Sequence, residues 1–209
     1  MIKKFITLFK IGRKIANSDI LEIVSKFQKP PLPITLLFKL LSISFLPKKK
    51  DSNKNEGERL SYSLESMGTT FIKLGQFLAT RPDIIGEKLS KQLENLQDKL
   101  PPFSLVQAKE IIKNDLGQET YDSIINLSEP VAAASIAQVH KAQINDNGTI
   151  KDVAIKILRP DIKKIFNDEI DAIMLFAFLV ESFIKKTKRL KLVEVVFLLK
   201  EITNLEMDL

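Results

Sequence analysis

Apolar residues recur at intervals of four and three positions between residues 60 and 78. This interval places side chains on one face of an α-helix, so it predicts one amphipathic helix that ends at the Arg-Pro-Asp sequence 81–83. The apolar face of that helix consists of Leu60, Leu64, Met67, Phe71, Leu74 and Leu78.

Further helices are predicted along the chain. One follows the leucines of residues 89–100 and stops at the two prolines after them. The next begins at Ser104, which forms a capping box with Gln107, and Gly117 closes it. The same periodicity predicts two more helices, over roughly 161–187 and 191–209.

The segment between these helices favours a β-hairpin. The sequence Asn-Asp-Asn-Gly at 145–148 is typical of a hairpin turn. In the strand after this turn, Val153, Ile155 and Ile157 fall on one face and Lys156 falls on the other. The predicted fold class is therefore α+β, a mostly helical chain with a small antiparallel hairpin.

Charge and composition limit the function classes. The formal net charge is +6, and the cations cluster near the start, at 48–50 and at 185–189. Such clusters fit an anionic membrane surface or a merely solvated face. The later clusters contain no aromatic residues and no recognition motif is present, so nucleic acid is not expected as a partner. The chain has no Cys and a single His140, which excludes disulfides and thiolate metal sites.

The most apolar stretch is residues 32–47. Its sixteen residues are interrupted by Lys39, whereas a membrane-spanning helix needs about 20 apolar residues. It is interpreted as a buried or interfacial helix. The expected location is cytoplasmic, with peripheral association at the inner membrane.

An alanine run precedes the lysine of the second predicted strand. Aligned with the phosphate loop of protein kinases, G-x-G-x-x-G-x-V, Ala132, Ala134 and Ala137 occupy the glycine positions and Val139 the valine position. Lys156 then stands where a kinase supplies the lysine that pairs with the phosphates of ATP. Short motifs of this kind also arise in ordinary structure, so an alanine-rich hairpin without a ligand is the competing interpretation.

A second group of residues lies on the first predicted helix. Lys73 and Gln76 are three positions apart on one helix face. Gly68 and Gly75 fall near one line along the helix and would let another backbone approach. The competing interpretation is a solvent-exposed Lys and Gln on an ordinary amphipathic helix.

Five segments in order resemble the UbiB family of atypical kinase-like proteins, which is tied to ubiquinone biosynthesis. They lie within residues 56–209 and read GTTFIKLGQFLATRPDII, LENLQDKLPPF, EPVAAASIAQVHKA, VAIKILRPDI and LEMDL. The resemblance implies ATP as the cofactor, held by an alanine-rich loop and a strand lysine: Ala132, Ala133, Ala134, Ser135 and Lys156. It also implies regulation by a K-x-G-Q motif that faces an E-x-D motif: Lys73, Gln76, Glu206 and Asp208.

Other parts that the resemblance implies are not identified in the 209 residues. These are the glutamate that pairs with Lys156, the catalytic loop and the magnesium-binding Asp, so no catalytic residue and no metal site are assigned. Glu169 or Asp171 is a less favoured substitute for the glutamate. The expectation is an N-terminal portion of a family member, with an incomplete kinase-like small lobe that is catalytically incomplete by itself.

Three regions are predicted: a basic amphipathic N-terminal region and linker at 1–55, a helical extension at 56–127, and a partial small lobe with inserted helices at 128–209. The first function hypothesis is a UbiB-like atypical kinase or ATPase in ubiquinone biosynthesis. Its expected partners are other ubiquinone-biosynthesis proteins or a separately encoded C-terminal half. The alternative is a non-catalytic helical module that binds a membrane surface or a partner. Whether the chain is an enzyme stays open.

Overall fold

The computed structural model describes residues 2–18, 20, 55–94, 96, 100–146, 148–183 and 185–208. Within these ranges the protein is mostly helical and carries one small antiparallel sheet, which confirms the predicted α+β class. The predictions for residues 32–47 and for most of the linker lie outside the described residues.

The elements are, in chain order, α1 (Ile2–Asn17), α2 (Glu56–Met67), α3 (Thr69–Ala79), α4 (Pro82–Ile85), α5 (Glu87–Leu93), α6 (Leu105–Asp122), β1 (Ile124–Ile125), β2 (Pro130–Ala133), β3 (Ala137–Asp146), β4 (Thr149–Leu158), α7 (Ile162–Phe183), a 3-10 helix (Lys185–Leu190) and α8 (Leu192–Glu206). The chain divides into two compact units. Met1–Gln97 with Lys164–Leu205 is here named the helical unit, and Asp98–Lys163 with Glu206–Leu209 the sheet unit. The three regions drawn from the sequence stay a prediction.

In the helical unit, the single helix predicted over residues 60–78 is wrong. Two helices, α2 and α3, replace it, and Gly68 stands between them with φ 106°. Glycine adopts such a positive φ without steric cost, so the chain turns here although the apolar periodicity continues. The predicted apolar face is largely kept, because Leu60, Leu64, Met67 and Phe71 are all buried.

The start of α2 also differs from the prediction. Asn55 accepts a hydrogen bond from the Glu58 backbone, and the Glu58 side chain accepts one from Asn55 N–H, which is a complete capping box. The helix therefore begins at Glu56, four residues before the first residue of the predicted apolar face. Helices α2, α3 and α5 pack against one another in this unit.

In the sheet unit, β3 is the central strand. β4 pairs with it antiparallel from Ala137–Leu158 to Asp146–Thr149. On the other side of β3, β2 pairs with its first half and β1 with its second half. The predicted hairpin turn is confirmed, since Gly148 has φ 87° and donates its N–H to Asn145 Oδ1.

Helix α6 covers one face of this sheet. Its Ala108 and Ile112 form a buried cluster with Ile157 of β4, and Ile155 packs against that cluster. The predicted alternation of β4 is thereby confirmed. The capping box at the start of α6 is also present. Gly117, with φ 83° and ψ 166°, is not helical and separates a first helical segment of α6 from a second one that runs to Asp122, so the predicted closure at Gly117 is confirmed.

Candidate functional site

The register of the sheet brings Ala132, Val139 and Lys156 into one row. Ala132 pairs with Val139 between β2 and β3, and Val139 pairs with Lys156 between β3 and β4. Directly paired residues of neighbouring strands project from the same face of a sheet. Ile155 and Ile157 project from the opposite face, which α6 covers. The row therefore lies on the face away from α6, where Ala132 and Lys156 are exposed and Val139 is half-buried.

A short turn joins β2 to β3 beside this row. The N–H of Ala134 donates to the carbonyl of Ala137 at 2.8 Å, which closes the turn. Ser135 and Ile136 within it are buried. The predicted alanine-rich loop is thus divided, because Ala132 and Ala133 are strand residues whereas Ala134 and Ser135 belong to the turn.

The predicted ATP lysine and the E-x-D motif meet within the sheet unit. Lys156 Nζ donates to the backbone carbonyl of Glu206 at 3.0 Å. Glu206 ends α8, and a cation beside the last carbonyls of a helix is stabilised by their partial negative charge. The side chains of Glu206 and Asp208 are exposed, whereas Met207 between them is buried. Lys156 therefore contacts the motif through its backbone.

Both residues considered as substitutes for the glutamate partner of Lys156 have lysine partners in the helical unit. Glu169 Oε1 lies 3.6 Å from Lys14 Nζ. Asp171 Oδ1 lies 2.9 Å from Lys200 Nζ, in a pair that links α7 with α8. Each carboxylate is thus engaged by its own lysine.

The K-x-G-Q motif lies on α3 in the helical unit. Lys73 is 9% exposed, so the competing interpretation of a solvent-exposed lysine is wrong, and Gln76 is half-buried. A Cβ added to Gly75 would lie 2.5 Å from Leu96 Cδ2 and 2.8 Å from Leu64 Cδ1. Gly75 therefore leaves room for the ends of these two leucine side chains. The predicted pairing of Lys73 and Gln76 with Glu206 and Asp208 stays a prediction.

A buried polar network that the sequence did not indicate supports the sheet. Gln138 and His140 are fully buried, and their Nε2 atoms lie 2.8 Å apart. His140 Nδ1 lies 2.7 Å from the Ser128 carbonyl, which can only accept, so Nδ1 carries the proton and Nε2 accepts from Gln138. The Gln138 amide also bonds both backbone groups of Phe103, at 3.0 Å and 3.2 Å. Gln138 and His140 pair with Ile157 and Ile155, so the alternation of β3 and β4 places both polar residues on the face towards α6. This alternation is the one sequence feature from which their burial could have been predicted.

Two Arg-Pro-Asp sequences play different parts. In the helical unit, Arg81 donates two hydrogen bonds to Asp83, at 2.8 Å and 2.7 Å. These hydrogen bonds lower the pKa of the Asp83 carboxyl below its ordinary value. In the sheet unit, the guanidinium of Arg159 donates to backbone carbonyls, two of its nitrogens to Ala134 at 3.0 Å and 2.8 Å. The second sequence therefore holds the turn beside the candidate site.

The described residues offer neither a metal site nor a membrane-spanning helix. Within their ranges, no three His, Asp or Glu side chains come together as ligands for a metal ion. In the same part of the chain, no helix combines the length and the apolar character needed to cross a bilayer.

Curated relatives of this chain carry the name "Probable protein kinase UbiB". The protein of Marinobacter nauticus is 38% identical over 167 residues, which cover 79% of this chain and 29% of the relative. That of Azotobacter vinelandii is 37% identical over 173 residues, covering 81% of this chain and 32% of the relative. That of Tolumonas auensis is 32% identical over 197 residues, covering 94% and 35%. The chain spans about a third of the length of these relatives.

A family match covers the C-terminal half of the chain, including the whole sheet of β1 to β4. Residues 95–209, more than half of the chain, match the ABC1 atypical kinase-like domain. No solved structure matches the chain. With the domain match and the UbiB relatives, the chain belongs to the ABC1, or UbiB-like, family of atypical kinase-like proteins.

Proposed function

We propose that this chain carries the nucleotide-holding face of a UbiB-like atypical kinase or ATPase that supports ubiquinone biosynthesis. The observation that carries the proposal is the row of Ala132, Val139 and Lys156 on the sheet face away from α6. A kinase-like lobe covers the phosphates of ATP with a loop and places a strand lysine against them. Membership of a kinase-like family supports ATP as the nucleotide.

Each member of the row has a distinct part in this proposal. Lys156 supplies a positive charge to the phosphates, in competition with the Glu206 carbonyl that it now contacts. Val139 offers apolar surface beside it. The turn at Ala134 and Ser135 brings backbone groups towards the phosphates, and the alanine methyl groups make this approach stiffer than a glycine loop would. Lys73, Gln76, Glu206 and Asp208 are proposed to regulate access to this face.

We further propose that the 209 residues by themselves hold nucleotide without turning it over. Phosphoryl transfer draws most of its acceleration from metal ions and positioned charged groups. The catalytic loop and the magnesium-binding carboxylate of a kinase were not identified in these residues. The wider partners, other ubiquinone-biosynthesis proteins or a separately encoded C-terminal half, belong to the same proposal.

Replacing Lys156 by alanine is expected to weaken the binding of a fluorescent ATP analogue to the chain by about tenfold or more. A hydrogen bond to a charged group is worth about 1.5–3 kcal/mol, and 1.4 kcal/mol corresponds to a factor of ten. Titration of the analogue with magnesium measures the change. The matched control is Lys151→Ala, which removes a lysine from the same strand but from the other face, where it pairs with Asp146 at 2.6 Å. Equal losses in both variants, or no binding by the parent chain, would contradict the proposal.

A second candidate function is binding to an anionic membrane surface, and helix α1 favours it. Ile6 and Phe9 of α1 are 51% and 55% exposed, although both are large apolar side chains. Lys10 and Arg13 are exposed one turn further on and line a groove of about 460 Å³ together with Lys14. Apolar and cationic groups on one helix are typical of segments that lie on anionic lipid.

The double substitution Lys10→Ala with Arg13→Ala is expected to weaken binding to anionic vesicles by roughly 2 kcal/mol, at about 1 kcal/mol for each cation near the surface. The measurement is co-sedimentation with vesicles of anionic and of neutral phospholipid. Added salt should weaken the binding of the parent chain, because charges are screened over about 10 Å at 0.1 M. Lys109→Ala with Lys113→Ala, two exposed lysines of α6, is the control. Equal binding to neutral and anionic vesicles would show that the positive charges do not contribute to membrane binding.

A further inference from the structure

The guanidinium of Arg159 joins two segments of the sheet unit that are far apart in sequence. Its Nε and Nη2 donate to the carbonyl of Ala134 in the turn between β2 and β3. Its Nη1 donates to the carbonyl of Pro101 at 3.0 Å, and Nη2 also donates to that of Leu100 at 3.2 Å. All four of these hydrogen bonds end on backbone oxygens, which the planar, forked guanidinium can reach together.

The backbone of Arg159 acts on the same turn. Its N–H donates to the carbonyl of Ile136 at 2.9 Å. With the bond between Ala134 N–H and the Ala137 carbonyl, the turn is held at its start, its middle and its end. A turn restrained in this way keeps one geometry without a ligand.

The other anchor of Arg159 is itself fixed. Leu100 and Pro101 precede Phe103, whose N–H and carbonyl both bond the buried amide of Gln138. Pro101 and Pro102 also restrict the backbone between these contacts, since proline fixes φ. Arg159 therefore ties the turn to a segment that β3 already holds in place.

We propose that Arg159 is the positioning residue of the alanine-rich turn and sets its geometry before nucleotide arrives. The proposal rests on the proposed function, because it concerns the same nucleotide face. A binding loop that is already in its bound geometry loses less conformational entropy on binding, so affinity rises. The segment Leu100–Phe103, outside the row itself, thereby contributes to nucleotide affinity through Arg159.

The test compares Arg159→Lys and Arg159→Gln with the parent chain, at a temperature at which circular dichroism shows all three folded. Hydrogen exchange is followed by mass spectrometry in peptides that cover the turn and, as a remote reference, the hairpin end at Asn145 and Gly148. Both variants should exchange roughly tenfold faster in the turn, in line with the loss of a charge-assisted hydrogen bond. The hairpin end should not change. Arg81→Lys, which removes a partly exposed guanidinium of the helical unit, is the control and should leave both peptides unchanged.

Titration with the fluorescent ATP analogue completes the test. The Arg159 variants should bind it roughly fivefold to tenfold more weakly, because their unrestrained turn loses conformational entropy when nucleotide binds. Unchanged exchange in the turn, or equal acceleration in both peptides, would overturn the positioning role. Faster exchange in the turn with unchanged binding would overturn its effect on affinity. If the parent chain binds no analogue, the proposed function and the effect on affinity both fail, while the exchange result still decides whether Arg159 holds the turn.

Discussion

Replacing Gln138 by leucine should lower the free energy of unfolding by about 3 kcal/mol or more. Leucine is close to glutamine in size but has no hydrogen-bonding group. The substitution therefore leaves the N–H and carbonyl of Phe103 and the Nε2 of His140 without their partner. An orphaned buried polar group costs about 1–3 kcal/mol, and the change affects the fully buried His140 and two partly buried backbone groups of Phe103. Urea denaturation followed by circular dichroism measures the loss.

The control for this experiment is Gln143→Leu on the same strand. Gln143 also bonds two side chains, Asn126 at 3.1 Å and Asp152 at 3.0 Å. These contacts are exposed, so water replaces them and the expected cost is below about 1 kcal/mol. If the two leucine variants unfold at the same urea concentration, the buried network does not stabilise the sheet unit.

Replacing Gly75 by valine should destabilise the protein by about 2 kcal/mol, within the range for overpacking a core. The space that a Cβ would enter is filled by the methyl groups of Leu64 and Leu96, and valine adds two further carbons. Gly75→Ala is expected to be close to neutral. Its single methyl displaces only the ends of two flexible leucine side chains, and alanine gains about 1 kcal/mol over glycine in a helix. Thermal unfolding of the two variants gives the comparison.

A second substitution locates the clash. Leu96→Ala removes the side chain that a Cβ at position 75 would approach most closely. In the double variant with Gly75→Val, part of the cost should be recovered, so the two changes should not add. If the stability losses of the two single variants simply add in the double variant, Leu96 is not the residue that excludes a larger side chain from position 75.

The face that carries Lys156 could be predicted because alternation and turn chemistry agree. A slip of one residue in the hairpin would move every side chain to the other face, so the turn at residues 145–148 determines the face of Lys156. β2 has only four residues and a register shift between Pro130 and Ala132. No periodicity can be recognised in so short a strand, and Ala132 was therefore assigned to a loop.

Contacts between distant residues could not be predicted from local patterns. Arg81 and Arg159 both begin an Arg-Pro-Asp sequence, yet the first binds an aspartate two positions away and the second a carbonyl 58 positions away. Similarly, the spacing of Lys73 and Gln76 identifies a helix face but not its burial. The break at Gly68 could not be predicted from periodicity either. Met67 before it and Phe71 after it are both buried, so the apolar spacing continues although the helix does not.

The strand pairing of the sheet unit has a consequence for how this part of the chain folds. Every paired residue is near its partner in sequence, from Asp146 with Thr149 to Ala137 with Leu158 and Ile124 with Ile144. Closing short loops costs little entropy, and hairpins form in about 1–10 μs. The sheet can therefore assemble early from local contacts. The contacts of Arg159 with Leu100 and Pro101 span a much longer loop, so we expect the turn to gain its final restraint after the strands have paired.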